Sequence, residues 1–185
     1  MNHVFNPSYK HKLESDFRKE ILPKEPVIEF ISGIAPEERR TALELGSGTG
    51  YFTVILARYF EKVYGIDVSA EMIEYLADRL QDEGTKNVGL IAGDKPPIDF
   101  EVDLAFFANV LHEVKDPGSY LDYPAKMVIV IDWKIGKDGE ASFGPPSDVR
   151  IPEEEMIEIM EYKGYKTEKI DAYWYHYFIV GIRKE

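Results

Sequence analysis

The segment Ala42-Leu43-Glu44-Leu45-Gly46-Ser47-Gly48-Thr49-Gly50-Tyr51-Phe52-Thr53 constrains this chain more than any other stretch. An apolar, strand-like run enters three glycines at alternate positions, and a helical pattern of apolar residues follows. Glycine lets a turn adopt positive φ and lets the backbone approach a ligand with no Cβ in the way. A strand, a glycine turn and a helix in that order make the crossing over which nucleotide-type ligands lie in open α/β sheets. The dinucleotide fingerprint is G-x-G-x-x-G with an acidic residue about 20 positions on. Here the spacing is Gly46-x-Gly48-x-Gly50, Tyr51 stands where the third fingerprint glycine would fall, and Glu44 precedes the loop.

The flanking pattern supplies the elements such a crossing needs. Helical spacing of Tyr9, Leu13, Phe17 and Ile21 predicts a helix over 8–22, ended by Pro23, and a second short helix covers 24–32. Strands are predicted at 41–45, 62–67, 87–92 and 102–108, and the run from Met127 to Trp133 reads as a fully buried strand. A helix is expected from about 50 to 60, and another after Ser69, an N-cap ahead of Met72, Ile73, Leu76 and Leu80. Short helical turns are expected at 109–114 and 117–122, a Gly/Pro-rich loop over 134–150, an amphipathic helix over 152–163, and strands at 165–172 and 175–183. This alternation predicts a doubly wound, Rossmann-like α/β sheet with its ligand at the carboxyl ends of the strands. The 185 residues show no repeat or linker and read as one domain, 1–185, with 1–34 a helical segment ahead of the sheet.

Asp67 closes the second strand, where a carboxylate can accept both ribose hydroxyls of a nucleoside. Its plain structural role would be an acid favoured near a helix N-terminus. Glu44 lies near the end of a buried strand, a costly place for a carboxylate unless a cation, from a ligand or a side chain, partners it. His112 is the titrating group near neutral pH on the exit from the fourth strand, or else a cap or surface residue. Asp103, near that strand's start, reads as structural.

These motifs resemble those of class I S-adenosylmethionine (SAM)-dependent methyltransferases, and within them the small UbiE/type-11-like group. Glu44 with the glycine loop resembles motif I and Asp67 motif II. Ile91-Ala92-Gly93-Asp94 resembles motif III, whose acid accepts from the adenine amino group. The stretch from Asp103 to Glu113 resembles motif IV in its small-molecule form, lacking the Asn-Pro-Pro-Tyr of enzymes that methylate nucleic acid amines. The resemblance assigns cofactor binding to Glu44, Gly46, Ser47, Gly48, Thr49, Gly50, Asp67, Val68, Met72, Gly93, Asp94, Lys95 and Asn109. It implies SAM as methyl donor, with S-adenosylhomocysteine as product, and puts His112 beside the transferred methyl as a catalytic residue. It also implies that the last strand runs antiparallel, which brings Tyr173-Trp174-Tyr175-His176-Tyr177 over the site. Trp133, Tyr175 and His176 are then expected to wall an acceptor pocket, or the aromatics form a dimer surface or pack on the first helix. No metal is expected: strand 5 ends Asp132-Trp133 and strand 4 ends Ala108-Asn109, which does not assemble an oxygen-rich magnesium site.

Composition narrows the function. Net charge is −12, from 34 acidic and 22 basic residues, and this disfavours a nucleic acid partner, which needs a positive surface. Cysteine is absent, so thiolate chemistry and Cys-ligated metals are excluded. The absence of a signal segment, and of the roughly 18 apolar residues of a membrane span, points to a cytoplasmic protein that does not touch membranes. Richness in Glu, Lys, Ile and Tyr leans towards a thermophilic source. The expected function is transfer of a methyl group from SAM to a small-molecule acceptor by in-line displacement. The alternatives are a non-catalytic SAM- or nucleoside-binding regulatory or partner subunit, and a nicotinamide dehydrogenase, the latter weakened by Tyr51 and Glu44.

Overall fold

The structure is a computed structural model that describes residues 15–136 and 144–184. Seven strands form one sheet: β1 (Thr41–Leu45), β2 (Lys62–Asp67), β3 (Val88–Ala92), β4 (Val102–Ala108), β5 (Ala125–Trp133), β6 (Tyr165–Lys169) and β7 (His176–Arg183). Their order is β3-β2-β1-β4-β5-β7-β6. The first five are parallel to their neighbours, whereas β7 runs antiparallel to both β5 and β6. From β1 the chain winds outward through β2 and β3, then returns to β4 on the other side. The switch point between β1 and β4 is where sheets of this type open a crevice at their carboxyl edge.

The helices are α1 (Asp16–Ile21), α2 (Glu25–Ser32), α3 (Thr53–Tyr59), α4 (Ala70–Asp82), α5 (Pro117–Tyr120) and α6 (Glu153–Tyr162). The period-two alternation of the strands divides the core. Leu104, Phe106 and Ile129 face one layer with α2 to α4, while Ala105, Phe107, Val128 and Val130 face the other with Met156 and Met160 of α6. All seven positions of β4 are buried, as a central parallel strand covered on both faces requires. Phe106 is wholly buried with its ring centroid 5.1 Å from that of Phe52. Phe106→Ala should therefore lower unfolding free energy by about 3–5 kcal/mol, read from urea denaturation; a loss below 1 kcal/mol would show that the two rings do not carry this layer.

The expected elements form, with boundaries that shift for local reasons. Helix α3 starts at Thr53 rather than near 50, because Gly50 has φ +86°, outside the helical region. Ser69 caps α4, its hydroxyl accepting from Met72 N–H (3.3 Å), and Met72, Leu76 and Leu80 form the buried stripe, with Ile73 only half-buried. The turn expected at 109–114 is a 3-10 turn at Leu111–Glu113. Strand β6 stops at Lys169, where Ile170 N–H still reaches Phe178 O but Ala172 N–H turns back to Ile170 O. Of the helix expected over 8–22, Asp16–Ile21 is helical, and positions 8–14 lie outside the described residues, as do 137–143 of the long loop.

Candidate active site

The five parallel strands all deliver residues to one edge, around a cavity of about 890 Å³. The loop after β1 is tied down by backbone bonds: Gly46 and Ser47 N–H both donate to Ile66 O, and Gly50 N–H donates to Ser47 O. Gly46, Gly48 and Gly50 have φ of +75°, +51° and +86°, so each sits where a side chain is strained. A Cβ on Gly50 would also collide with Leu76 of α4, so this glycine serves helix packing; it is not among the cavity-lining residues.

Asp67 is bonded through both carboxylate oxygens. Its Oδ2 accepts from Gly48 N–H (2.8 Å) and its Oδ1 from Ser69 N–H (2.9 Å), which pins the glycine loop to the start of α4. Each carboxylate oxygen retains a lone pair for a hydroxyl. Burial pushes the Asp67 carboxyl up, and the two backbone bonds offset that in part. Glu44 is buried, and its Oε2 accepts from Thr53 Oγ1 at 2.5 Å. Burial pushes its carboxyl up to about 8, against that bond, and the neighbouring Asp67 adds to the rise.

The remaining expected cofactor residues divide. Ser47, Thr49, Val68, Met72, Gly93, Asp94 and Asn109 line the cavity. Val68 is 58% exposed there, an apolar surface open to a flat ring. Asp94 Oδ1 already accepts from Tyr120 OH at 2.5 Å, a contact between two distant turns that spacing alone does not reveal. Lys95 does not line the cavity among the described residues; its ammonium donates to Ser119 O and lies 5.6 Å from the centre of the Tyr120 ring.

On the acceptor side, His112 Nδ1 is 2.7 Å from Asp132 Oδ1, joining the exits of β4 and β5. Trp133 lines the cavity, but Tyr175 and His176 do not. His176 is packed behind Trp133, with ring centroids 4.2 Å apart. Neither His176 nitrogen makes a hydrogen bond of ordinary geometry, and the Ile21 carbonyl close by offsets its burial only in part. Burial, with Arg18, Arg150 and His112 nearby, pushes the ring down to about 3, so it stays neutral. The aromatic hairpin tip packs partly on the N-terminal segment: Tyr173 OH donates to Pro23 O (3.0 Å), while Trp174 is 80% exposed.

Arg18 carries no signal in the glycine-loop motif, and the role of Tyr51 was not legible from its place in it. Arg18 reaches the cavity from α1, its guanidinium 5.0 Å from the centre of the Tyr51 ring. Tyr51 OH donates to Leu22 O (2.9 Å), so the residue in place of a fingerprint glycine anchors the N-terminal segment over the loop. Asp132 was legible only as a carboxylate ending a buried strand, which requires a partner.

SAM suits this set of groups. Ser47 Oγ and Asn109 Oδ1 are buried without hydrogen-bond partners among the described residues, and both residues line the cavity. Asn109 has φ +55°, the one positive value among the described non-glycine residues, so the backbone is held in an uncommon conformation at the site. Glu44 and Asp67 put two carboxyl groups on the cavity wall.

Comparison with known proteins agrees. A family model described as a methyltransferase domain matches residues 36–169. A solved SAM-dependent methyltransferase from Aquifex aeolicus superposes with a TM-score of 0.82 at 27% identity, covering 97% of this chain and 99% of that one. The DhpI–S-adenosylhomocysteine complex superposes at 0.72 and 22% identity, covering 96% and 92%. Trans-aconitate 2-methyltransferase of Pseudomonas aeruginosa is 34% identical over 105 residues, 54% of this chain and 36% of that protein. A probable ribosomal RNA small subunit methyltransferase A of Methanosphaera stadtmanae is 26% identical over 97 residues, 51% of this chain and 36% of that protein. The chain thus spans little more than a third of the length of these two curated relatives. No helix among the described residues is long and apolar enough to cross a membrane. The chain belongs to the methyltransferase-domain family and has the fold of class I SAM-dependent methyltransferases.

Proposed function

We propose that this chain transfers the methyl group of SAM to a small-molecule acceptor. The observation that carries the reading is the cradle at the β1–β4 switch point, where Asp67 fixes the Gly48 amide and still faces the cavity. When bound, SAM supplies an already activated methyl group, so the chain's task is alignment and exclusion of water. Glu44 and Asp67 bind and orient; Gly46 and Gly48 admit the ligand to the backbone; Tyr51, Phe52, Tyr120 and Trp133 give the cavity aromatic walls.

A small acceptor is supported by two features. One cavity takes in both the cofactor-binding residues and His112 with Trp133, with room for two modest molecules. Net charge of −12 works against binding an RNA backbone. Relatives named as ribosomal RNA methyltransferases make RNA the outcome to test against. With methyl-labelled SAM and either a small-molecule extract or ribosomal RNA, label should appear in the small-molecule fraction. Label carried by the RNA would overturn the acceptor class, and the absence of any transfer despite SAM binding would favour a non-catalytic binding subunit.

A further inference from the structure

The pair formed by His112 and Asp132 joins the exits of β4 and β5, outside the glycine loop, and it is buried where a chance surface contact would not be. Both side chains are nearly inaccessible, 4% and 2% exposed. Asp132 is anchored on three sides: its Oδ1 accepts from Trp133 N–H (2.8 Å) and meets His112 Nδ1, and its Oδ2 accepts from His112 N–H (3.3 Å). A carboxylate only accepts, so Nδ1 carries the ring proton and Nε2 keeps its lone pair. Nε2 has Glu113 Oε1 at 3.8 Å, too far for a hydrogen bond, and the imidazole lines the cavity beside Trp133. The charged and titratable groups around the ring are Asp132 on β5, Glu113 on its own turn, Arg150 after the long loop and His176 on β7. Arg150 is held off by backbone carbonyls, its Nε donating to Pro145 O and its Nη1 to Lys134 O. Burial works against the charged ring, yet Asp132 and then Glu113 outweigh it, and the His112 pKa lies above its ordinary value.

Building on the methyl-transfer reading, we infer that His112 is the base for a neutral hydroxyl acceptor, with Asp132 the positioning residue that fixes its tautomer. In that step the acceptor O–H proton passes to His112 Nε2 as its oxygen forms the new O–CH3 bond. The S–CH3 bond breaks, its electron pair stays on sulfur as the neutral thioether of S-adenosylhomocysteine, and His112 then yields the proton to solvent. A carboxylic acid acceptor has already lost its proton near neutral pH and would leave the pair idle. An ammonium would give up far more hydration than a neutral hydroxyl on leaving water for this cavity.

Two arms test this, and the first needs neither SAM nor acceptor. Nitrogen-15 NMR of the imidazoles in the free protein should show His112 with its proton on Nδ1 and titrating above 6.5. Asp132→Asn should lower that titration point, with an unchanged fold checked by melting temperature and by SAM affinity. A proton on Nε2, or an unmoved titration in Asp132→Asn, overturns the pair. The second arm offers methyl-labelled SAM with 4-methylphenol, benzoate or benzylamine. Label should enter the phenol alone, with kcat/KM rising with pH through the His112 titration, and His112→Gln should cut it at least 100-fold while SAM affinity holds within about threefold. Preferential label in benzoate or benzylamine, label in none, or a rapid His112→Gln enzyme overturns the hydroxyl class. Failure to bind SAM would instead strike the methyl-transfer reading, and the NMR arm would still judge the pair.

Discussion

Gly48→Val should reduce SAM affinity by more than 100-fold while the free protein still folds. Gly48 sits at φ +51°, lines the cavity, and donates its amide to Asp67 Oδ2. A β-branched residue there is strained by about 1–3 kcal/mol and puts carbon where the ligand meets the backbone. Relaxing the strain would pull the amide off Asp67, so the loop and the ribose acceptor fail together. The melting temperature of the free form should fall by only a few degrees, because the loop edge carries little of the core. Calorimetry checks both halves. Near-normal affinity would reduce the glycine loop to a turn. Asp67→Ala should follow the same logic more mildly, at about 1.5–3 kcal/mol of binding, the worth of a hydrogen bond to a charged group.

Glu44 should make the free protein markedly less stable as pH rises from about 4.5 to 8. Its folded pKa is raised, from 4.5 to about 8, so the neutral acid is the form the fold prefers. The stability it leaves intact is fully present below 4.5, is lost as pH climbs through 8, and then stays constant. At about 1.4 kcal/mol per pH unit the total approaches 5 kcal/mol as an upper bound. Asp67 and His112 also sit above their ordinary values, so the informative quantity is the difference between wild type and Glu44→Gln. Urea denaturation at pH 5 and pH 8.5 should show that difference opening in favour of the variant at the higher pH. A cationic ligand end beside Glu44 reverses the effect, so SAM should stabilise wild type more at pH 8.5 than the variant. Parallel pH profiles for the two proteins would show that Glu44 ionises without cost.

The glycine turn and the doubly wound sheet were readable because their chemistry is local or follows from alternating strands and helices. Glycine takes positive φ where other residues are strained, and all three glycines of the loop do so. The antiparallel β7 was legible through family resemblance, and its pairing of Trp133 with His176 puts the aromatic hairpin at the expected edge. Details that depend on meetings between distant segments were not legible. The His112–Asp132 contact spans 20 residues and the Tyr120–Asp94 contact 26, and neither leaves a pattern in spacing. His176 illustrates the limit from the other side: it was expected to wall the acceptor pocket, but β7 packs its ring behind Trp133, and it is not among the described residues that line the cavity. Lys95, next to the motif III acid, leaves the cavity for the Ser119 carbonyl because the connection to β4 bends past α5.

The glycine cradle suits SAM rather than a nicotinamide dinucleotide. Tyr51 fills the third fingerprint position, where the dinucleotide fold places a glycine for close helix–strand packing, and its hydroxyl is tied to Leu22 O. Isothermal titration calorimetry of the wild-type chain with SAM, S-adenosylhomocysteine and NAD tests this most directly. The prediction is one site, with micromolar or tighter binding of SAM and S-adenosylhomocysteine and no measurable heat with NAD. Binding of NAD with equal or greater affinity, or failure of both adenosyl ligands to bind, would contradict it.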